Sequence, residues 1–347
     1  MKILYAIQGT GNGHLARAVE IIPLLQDYAD TDILISGHHC ELSLPWPVKF
    51  QMKGLGFTFG KKGGIDYKKT FSSNSLGTFL KEVRQLPVHD YDLVISDFEP
   101  VSAWACKLKG KKCIGVSHQS AVLHPNAPKP TKKDWAGQLI LKHYAPVSQS
   151  YGFHFKQLGD RISTPVIRHA VRYGNKGNKG HYTVYLPAYA DIKIIAFLSR
   201  FSEYTWEVFS KHSRQPYSFQ NIRVRPVNLE QFTQSLLQAE GVFCTAGFET
   251  PAETLFLGKK LCVVPMKGQF EQQCNAAMLK DMGIPVIKSL KDAYADTFGE
   301  WLRSTQTVQV RYPDNTQQII ERMLEESSSF HIEYFPMAGG FLMPNRS

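Results

Sequence analysis

The strongest constraint on the fold is an alternation of short β-rich apolar runs with amphipathic stretches. In the first half of the chain the apolar runs stand at residues 3–7, 32–36, 92–97 and 112–117. Leu15, Ile22 and Leu25 recur at helical spacing after the first run, so we predict a helix over residues 12–26. Alternation of this kind is typical of βαβ units that build a parallel sheet.

The alternation stops at a polar stretch rich in glycine and asparagine, residues 168–182, and then starts again. The later apolar runs stand at residues 182–187, 193–199, 222–227, 241–247 and 260–265. With 347 residues, of which 43% are hydrophobic, the chain can bury two cores. We therefore predict an α/β protein with two Rossmann-like, doubly wound lobes that face a cleft.

The expected boundaries are residues 1–168 for an N-terminal lobe, 169–181 for a linker, 182–312 for a C-terminal lobe and 313–347 for a C-terminal helix and tail. Residues 315–326 have helical spacing, whereas residues 327–347 fit neither period. We expect this last stretch to be either a mobile extension or an arm across the other lobe.

The net charge of +10 permits nucleic acid, an anionic membrane surface or an anionic small ligand as a partner. The lysines come in short pairs and no nucleic-acid-binding motif accompanies them, so we expect no nucleic-acid partner. The pairs cluster at residues 61–71 and 107–112. These clusters are either a solvated surface or a basic face for an anionic acceptor or lipid headgroups.

The six cysteines lack the close spacing of a structural zinc site. The chain opens directly on an apolar run without the pattern of a signal peptide, and no apolar run approaches the length of a membrane span. We therefore expect a cytoplasmic protein with reduced thiols.

A glycine-rich turn, QGTGNGH, begins at Gln8 directly after the first apolar run. Such a turn lets the backbone approach a ligand, and the N-terminus of the following helix favours anions. Gly11, Gly13 and Ala16 match the G-x-G-x-x-A dinucleotide fingerprint. However, the second run ends in serine, glycine and two histidines rather than in an acidic residue for a ribose, which disfavours a dehydrogenase. The absence of G-K-[ST] excludes a P-loop.

His14 closes this turn and falls in the first turn of the predicted helix. The helix dipole there favours the neutral, proton-accepting form of a histidine, so His14 is a candidate general base. It could equally cap or pack against its own helix.

Four more polar residues follow apolar runs of the first half and are candidates for contacting a substrate or orienting His14: Asp97, Glu99, His118 and Gln119. Each could instead cap a loop.

A second polar motif follows the run at residues 241–247. Gly247 marks a turn, Thr250 and Glu253 lie three residues apart on one helix face, and Pro251 suits a first helical position. The spacing fits a capping box, or a helix N-terminus that faces a diphosphate with Glu253 near ribose hydroxyls. Further along the chain stand three polar residues that suit sugar hydroxyls or an ordinary polar helix start: Glu271, Gln272 and Asn275.

Together the two motifs resemble those of GT-B glycosyltransferases, close to the MurG and monogalactosyldiacylglycerol synthase group. The stretch GTGNGHLARAVEI is similar to that group's glycine-rich loop, and the pattern from Gly247 to Glu253, followed by E-Q-x-x-N-A, is similar to its donor-binding motifs. The resemblance implies that Gly247, Phe248 and Thr250 meet the diphosphate of a nucleotide diphosphate sugar. It also places Glu253 at the ribose and Glu271 and Gln272 at the donor sugar, with Asn275 among the donor-binding residues.

The resemblance further implies that His14 activates the acceptor hydroxyl and that the anomeric carbon is inverted. The acceptor is then a glycan, a lipid-linked sugar or a small molecule, and peripheral contact with the inner face of a membrane is compatible with it. We expect a UDP-sugar donor, no required cofactor and, because no compact Asp-x-Asp occurs, no essential metal ion.

Two departures from the group concern donor binding. Glu271 replaces the usual aspartate, and the stretch YLPAYAD at residues 185–191 replaces a glycine-rich loop. Two alternative functions stay open: a sugar-nucleotide epimerase and a non-catalytic sugar-nucleotide-binding protein.

Overall fold

The first half of the chain folds around a parallel sheet of the order β3-β2-β1-β4-β5-β6-β7. The structure, a computed structural model, describes residues 1–10, 12–37, 44–56, 61–64, 75–131 and 134–327. The strands are β1 (Lys2–Gln8), β2 (Asp30–Ser36), β3 (Phe50–Met52), β4 (Leu93–Asp97), β5 (Cys113–Val116), β6 (Gln149–Phe153) and β7 (Ile162–Ser163). The strand order reverses between β1 and β4, which is where ligands bind in open α/β sheets.

The second half builds a sheet of the order β10-β11-β9-β8-β12-β13, in which β10 pairs antiparallel with β11 and the other pairs are parallel. Its strands are β8 (His181–Tyr185), β9 (Thr205–Ser210), β10 (Tyr217–Phe219), β11 (Ile222–Pro226), β12 (Gly241–Thr245) and β13 (Lys260–Val264). The order reverses between β8 and β12, so this sheet also has a ligand-binding edge. The two Rossmann-like lobes of the predicted GT-B fold are therefore confirmed.

Helices cover both faces of the sheets. They are α1 (Gly13–Gln26), α2 (Leu76–Gln85), α3 (Pro100–Leu108), α4 (His118–Val122), α5 (Trp135–Tyr144), α6 (His169–Arg172), α7 (Asp191–Leu198), α8 (Leu229–Gln238), α9 (Glu249–Phe256), α10 (Phe270–Asp281), α11 (Ala295–Arg303) and α12 (Thr316–Ser327). In β1, Ile3, Tyr5 and Ile7 pack into one buried cluster while Leu4 and Ala6 pack into another. Burial on both faces explains why these strands read as continuous apolar runs.

One predicted strand is wrong. The run at residues 193–199 lies mostly within α7, where Ile194, Phe197 and Leu198 are buried at helical spacing. A short apolar run does not distinguish a buried strand from a buried helix, and the acidic Asp191 in the first helical turn was the better signal. The next strand along the chain is β9, which pairs with β8, and its charged Glu207 and exposed Thr205 obscured it in the sequence.

The C-terminal helix α12 returns to the first lobe. The Tyr28 hydroxyl donates to Glu321 at 2.5 Å, and the Tyr151 hydroxyl and the Arg161 guanidinium both donate to Glu326 at 2.7 Å. These contacts hold the predicted helix of residues 315–326 against the first sheet. The stretch 328–347 lies outside the described residues.

A short segment of the first lobe, residues 61–64, crosses to the second lobe. The Gly63 amide donates to the Ala188 carbonyl at 2.7 Å, and the Lys267 amide donates to the Gly63 carbonyl at 2.8 Å. Gly63 has a φ of 88°, and a Cβ atom on it would overlap the Tyr189 ring. Part of the basic stretch 61–71 is therefore a backbone connection between lobes, and residues 65–71 lie outside the described residues. In the described part of the chain, no helix is long and apolar enough to span a bilayer.

Candidate active site

The two ligand-binding edges face one another across a cavity of about 160 Å³. Its walls in the first lobe include Gly13, His14, Arg17, His118 and Gln119, and its walls in the second lobe include Tyr185, Gly247, Phe248, Glu249, Thr250, Gln269 and Glu271. Most of the residues singled out in the two sequence motifs therefore lie at one interlobe site. Gly11 lies outside the described residues.

His14 is oriented by Asp97, at the end of β4. Its Nδ1 lies 2.8 Å from Asp97 Oδ1, and Asp97 has no exposed surface. Since a carboxylate accepts, we assign the proton to Nδ1, which leaves Nε2 as the proton-accepting atom. The Gln119 amide approaches that Nε2 at 3.3 Å. Asp97 is thus placed to orient His14, and the alternative, that it touches an acceptor, is wrong because its carboxylate is fully buried.

The sequence reasoning missed Arg17, one helical turn after His14. Its guanidinium donates to Asp97 at 2.6 and 2.8 Å and also contacts the Glu249 carboxylate of the opposite lobe. Burial by itself would raise the pKa of Asp97, but Arg17 and His14 hold that pKa below its usual value. The spacing of three residues from His14 was an available signal, because it puts both side chains on one helix face.

Glu249 was also missed, although it stands inside the second motif. It is the first residue of α9, and burial raises its pKa to about 7 despite the opposing effect of Arg17. A Cβ atom on Gly13 would lie 3.3 Å from Glu249 Cγ, so the glycine permits this close approach of the two lobes.

Helix α9 starts two residues earlier than the capping-box interpretation requires. Phe248 is its N-cap residue, and Thr250 and Pro251 are its second and third residues. The position of Pro251 as first helical residue is therefore wrong. A Cβ atom on Gly247 would have no atom of the described part of the chain within 4 Å, so this glycine opens onto the cavity in front of the helix N-terminus.

Glu253 forms a fork-to-fork pair with Arg168, another residue that the sequence reasoning missed. Arg168 Nε and Nη2 donate to the two carboxylate oxygens at 2.6 and 2.7 Å, and its Nη1 donates to Thr233 at 3.0 Å. Both partners line a second cavity beside the first, with Tyr185 and Phe232 as its aromatic walls. Glu253 therefore lines a cavity, as predicted for a ligand contact, but its carboxylate is also paired with Arg168.

Three predicted ligand contacts take part in the packing between lobes, and two of them, His118 and Phe248, also line the cavity. His118 is buried, with Nδ1 at 2.7 Å from the Phe153 carbonyl and Nε2 at 2.6 Å from Asn275 Oδ1. The Asn275 amide nitrogen donates to the Ala246 carbonyl at 3.1 Å. Phe248 stacks on the His118 ring, with ring centroids 3.9 Å apart. The expected sugar contact of Asn275 is wrong, because the side chain has no exposed surface and both of its polar atoms have protein partners.

The predicted substrate contact of Glu99 is wrong for the same reason. This residue caps α3, where its carboxylate accepts the Val101 and Ser102 amides at 2.7 and 2.6 Å and also the Ser36 hydroxyl. Because it has no exposed surface, an acceptor cannot reach it. This is the N-cap geometry of an ordinary helix start.

The remaining predicted donor residues lie on α10. Glu271 faces the cavity and accepts the Gln119 amide at 3.0 Å. Gln272 is buried and accepts the Met266 amide at 2.9 Å, so it holds the loop before the helix. Among the described residues, no group of three or more histidine, cysteine, aspartate or glutamate side chains could hold a metal ion.

The fold and the sequence both match known glycosyltransferases. MurG from Acinetobacter baumannii is 13% identical and aligns over 94% of this chain and 99% of its own with a TM-score of 0.56. Phytolacca americana UGT2 is 12% identical over 94% and 93% of the chains with a TM-score of 0.56, and the spinosyn rhamnosyltransferase SpnG is 11% identical over 94% and 96% with a TM-score of 0.53. No curated protein matches the chain by sequence. The sequence model described as glycosyl transferase family 1 matches residues 1–305, and the chain therefore belongs to this family and is a glycosyltransferase with the GT-B fold.

Proposed function

We propose that the protein transfers a sugar from a nucleotide diphosphate sugar to an acceptor hydroxyl with inversion, and that His14 is the general base. The observation that carries this proposal is the 2.8 Å contact between His14 Nδ1 and Asp97, which leaves Nε2 as the proton acceptor at a cavity between two lobes. The N-terminus of α9 lines the same cavity from the opposite side.

Features of the second lobe support a nucleotide diphosphate donor. The N-terminus of α9 offers backbone donors and a positive dipole end for a diphosphate, and Gly247 leaves space in front of it. Glu253 then meets the ribose, between the walls formed by Tyr185 and Phe232. UGT2 was solved with UDP-2-fluoro-glucose and SpnG with thymidine diphosphate, which supports this donor class and a UDP-sugar among its members.

Two buried oxygen atoms support sugar hydroxyls as ligands. Gln119 Oε1 and Gln269 Oε1 have no hydrogen-bond partner among the residues that the structure describes, and both residues line the cavity. Buried acceptors are normally satisfied, so a hydroxyl donor is the expected complement. Glu271, which accepts from Gln119, lies on the same wall and is the expected contact of the donor sugar.

The mechanism assigns one task to each lobe. His14 Nε2 takes the proton of the acceptor hydroxyl as that oxygen attacks the anomeric carbon, and Asp97 stabilises the resulting imidazolium. The bond to the diphosphate breaks on the opposite side of the carbon, and the N-terminus of α9 stabilises the departing charge without a metal ion. The contact between the two lobes holds the acceptor oxygen close to the anomeric carbon.

Helix α5 supports two further parts of the proposal. One is an acceptor with an apolar part, and the other is peripheral contact with a membrane. Trp135, Leu139 and Ile140 are 70%, 60% and 50% exposed. Tyr144, at the end of this helix, stacks on Phe98, and Phe98 stacks on His14. Stacked rings therefore join the C-terminal end of this helix to His14. Substitution of Trp135 and Leu139 by serine should reduce co-sedimentation with phosphatidylglycerol vesicles; unchanged co-sedimentation would contradict the contact.

A thermal-shift panel of UDP-, GDP-, TDP- and CMP-sugars tests the donor class, because a ligand that binds only the native state raises its apparent stability. We expect one nucleotide class to raise the Tm, and no shift with any of them would contradict the proposal. An epimerase would convert the bound donor without an acceptor, and a non-catalytic protein would bind the donor without turnover.

A further inference from the structure

We propose that the donor lobe supplies part of the catalytic base: Glu249 acts through Arg17 as a second counter-charge that stabilises the protonated form of His14. The inference rests on the proposed role of His14. It makes Arg17 and Glu249 positioning residues, since neither is required to touch the reacting atoms.

The geometry that carries the inference is a buried chain of four side chains. His14 and Arg17 both contact Asp97, and Arg17 also contacts Glu249 across the cleft. Arg17 is only 2% exposed and Glu249 is 17% exposed, so water screens these charges weakly. Arg17 Nη2 lies 3.1 Å from His14 Nδ1, close enough for its charge to oppose an imidazolium.

Counting charges shows why Glu249 matters. Above about pH 7, where Glu249 is ionised, and with Asp97 ionised and His14 neutral, the four side chains carry a net charge of −1, and proton transfer to His14 brings them to zero. Without the charge of Glu249 the same transfer would leave a net charge of +1 in a buried site, which is unfavourable. Arg17 then compensates Asp97 fully, and little negative charge remains for the imidazolium.

The titratable groups around these four side chains do not change their net charge. Tyr5 approaches Asp97 at 3.4 Å as a neutral hydroxyl, and burial raises the pKa of that hydroxyl well above its ordinary value. Glu253 lies near Glu249, but its charge is paired with Arg168. On the side of Nε2, Glu271 contacts Gln119 rather than His14.

The two lobes are joined at this point by side chains that come from α1 and α9. Because Glu249 belongs to the donor lobe, its charge reaches Arg17 only when the lobes are together. Lobe contact therefore does more than bring the acceptor to the donor: it strengthens the base at the moment when both substrates are enclosed.

The test is an NMR titration of the His14 ring in the full-length protein with ¹³C-labelled histidine, assigned by the signal missing in His14→Gln. For Glu249→Gln we expect the titration midpoint of His14 to fall by about one pH unit, and for Arg17→Met we expect it to rise by a similar amount. Glu249→Asp should restore the midpoint, and Glu300→Gln, on the exposed face of α11, should leave it unchanged.

Shifts of opposite sign would not arise from a purely structural role. Coincident midpoints in wild type and Glu249→Gln, or shifts of the same sign in both variants, would overturn the inference. If Arg17→Met does not fold, Glu249→Gln and Glu249→Asp decide the question alone. The readout needs neither donor nor acceptor, so its failure is distinct from a failure of the proposed transfer, which the sugar-nucleotide panel tests.

Discussion

Arg168 holds Glu253 by two hydrogen bonds of 2.6 and 2.7 Å, and both side chains are buried. The carboxylate expected at the donor ribose is thus fixed by a residue at the end of the first lobe. The pair gives Glu253 a defined orientation, and it makes the second lobe depend on the first for that orientation.

Arg168→Ala should destabilise the protein by about 3–5 kcal/mol, because it leaves Glu253 as an unpaired buried charge. Urea unfolding at neutral pH measures this effect. The matched control is Arg161→Ala, which removes a half-exposed partner of Glu326 and should cost less than about 1 kcal/mol. Equal losses of unfolding free energy in the two variants would show that the Arg168 pair is no more buried than the Arg161 pair.

His14→Ala should lower the transfer rate by about 10²- to 10⁴-fold, since it removes the proton acceptor. The affinity for the donor found in the thermal-shift panel should remain, and calorimetry checks it. His89→Ala, at an exposed turn of the first lobe, is the control and should retain full activity. Unchanged turnover in His14→Ala would eliminate the base role.

Gly247→Ala should weaken donor binding by at least about tenfold, equivalent to 1.4 kcal/mol, without a loss of stability. The added methyl group meets no protein atom and projects into the space expected for the diphosphate. Gly77→Ala, which likewise meets no protein atom but lies on α2, is the control and should leave the Kd unchanged. A wild-type Kd for the donor in Gly247→Ala would place the diphosphate elsewhere.

Gly63→Ala should loosen the connection between the lobes, because the new methyl group would overlap the Tyr189 ring. Hydrogen exchange of the Ala190 amide, which donates to the Lys61 carbonyl, should accelerate. Gly180→Ala provides the control: it has a similar positive φ, of 73°, but no neighbouring atom within 4 Å. Unchanged exchange of the Ala190 amide in Gly63→Ala would contradict the role of this connection between the lobes.

The free energy of unfolding should depend on pH in a way that reports the raised pKa of Glu249. Burial raises its pKa from 4.5 to about 7 in the folded protein, which therefore binds this proton more tightly than the unfolded chain does. Its stabilising contribution is fully present below about pH 4.5 and is lost as the pH rises through about 7. Glu249→Gln has no such loss, so the variant should gain stability relative to wild type between pH 5 and pH 8.

Urea unfolding of wild type and Glu249→Gln at pH 5 and pH 8 measures the difference, in which the contributions of groups that do not interact with Glu249 cancel. Glu300→Gln again serves as the control. Parallel stability curves for wild type and Glu249→Gln would mean that the carboxylate has an ordinary affinity for protons in the folded state.

The sequence patterns predicted correctly those features that depend on a single helix or strand. The helical spacing from Leu15 to Leu25 predicted α1, and the placement of polar residues after apolar runs predicted which sheet edges form the cleft. The prediction of a strand at residues 193–199 failed because a short apolar segment suits either a strand or a helix, and the acidic Asp191 before it was the available signal for a helix start.

By itself, the sequence determined the two mainly parallel sheets, the glycine-rich turn and the position of His14 at the first turn of α1, since each depends on neighbours along the chain. Only the tertiary structure decided which charges meet across the cleft. Arg17 and Glu249 are 232 positions apart, and Arg168 and Glu253 are 85 positions apart. The periodicity of a helix specifies which face is buried, but the partner on the opposite lobe depends on how the two lobes pack. For that reason Asn275, expected at the donor sugar, became a partner of His118 in the opposite lobe.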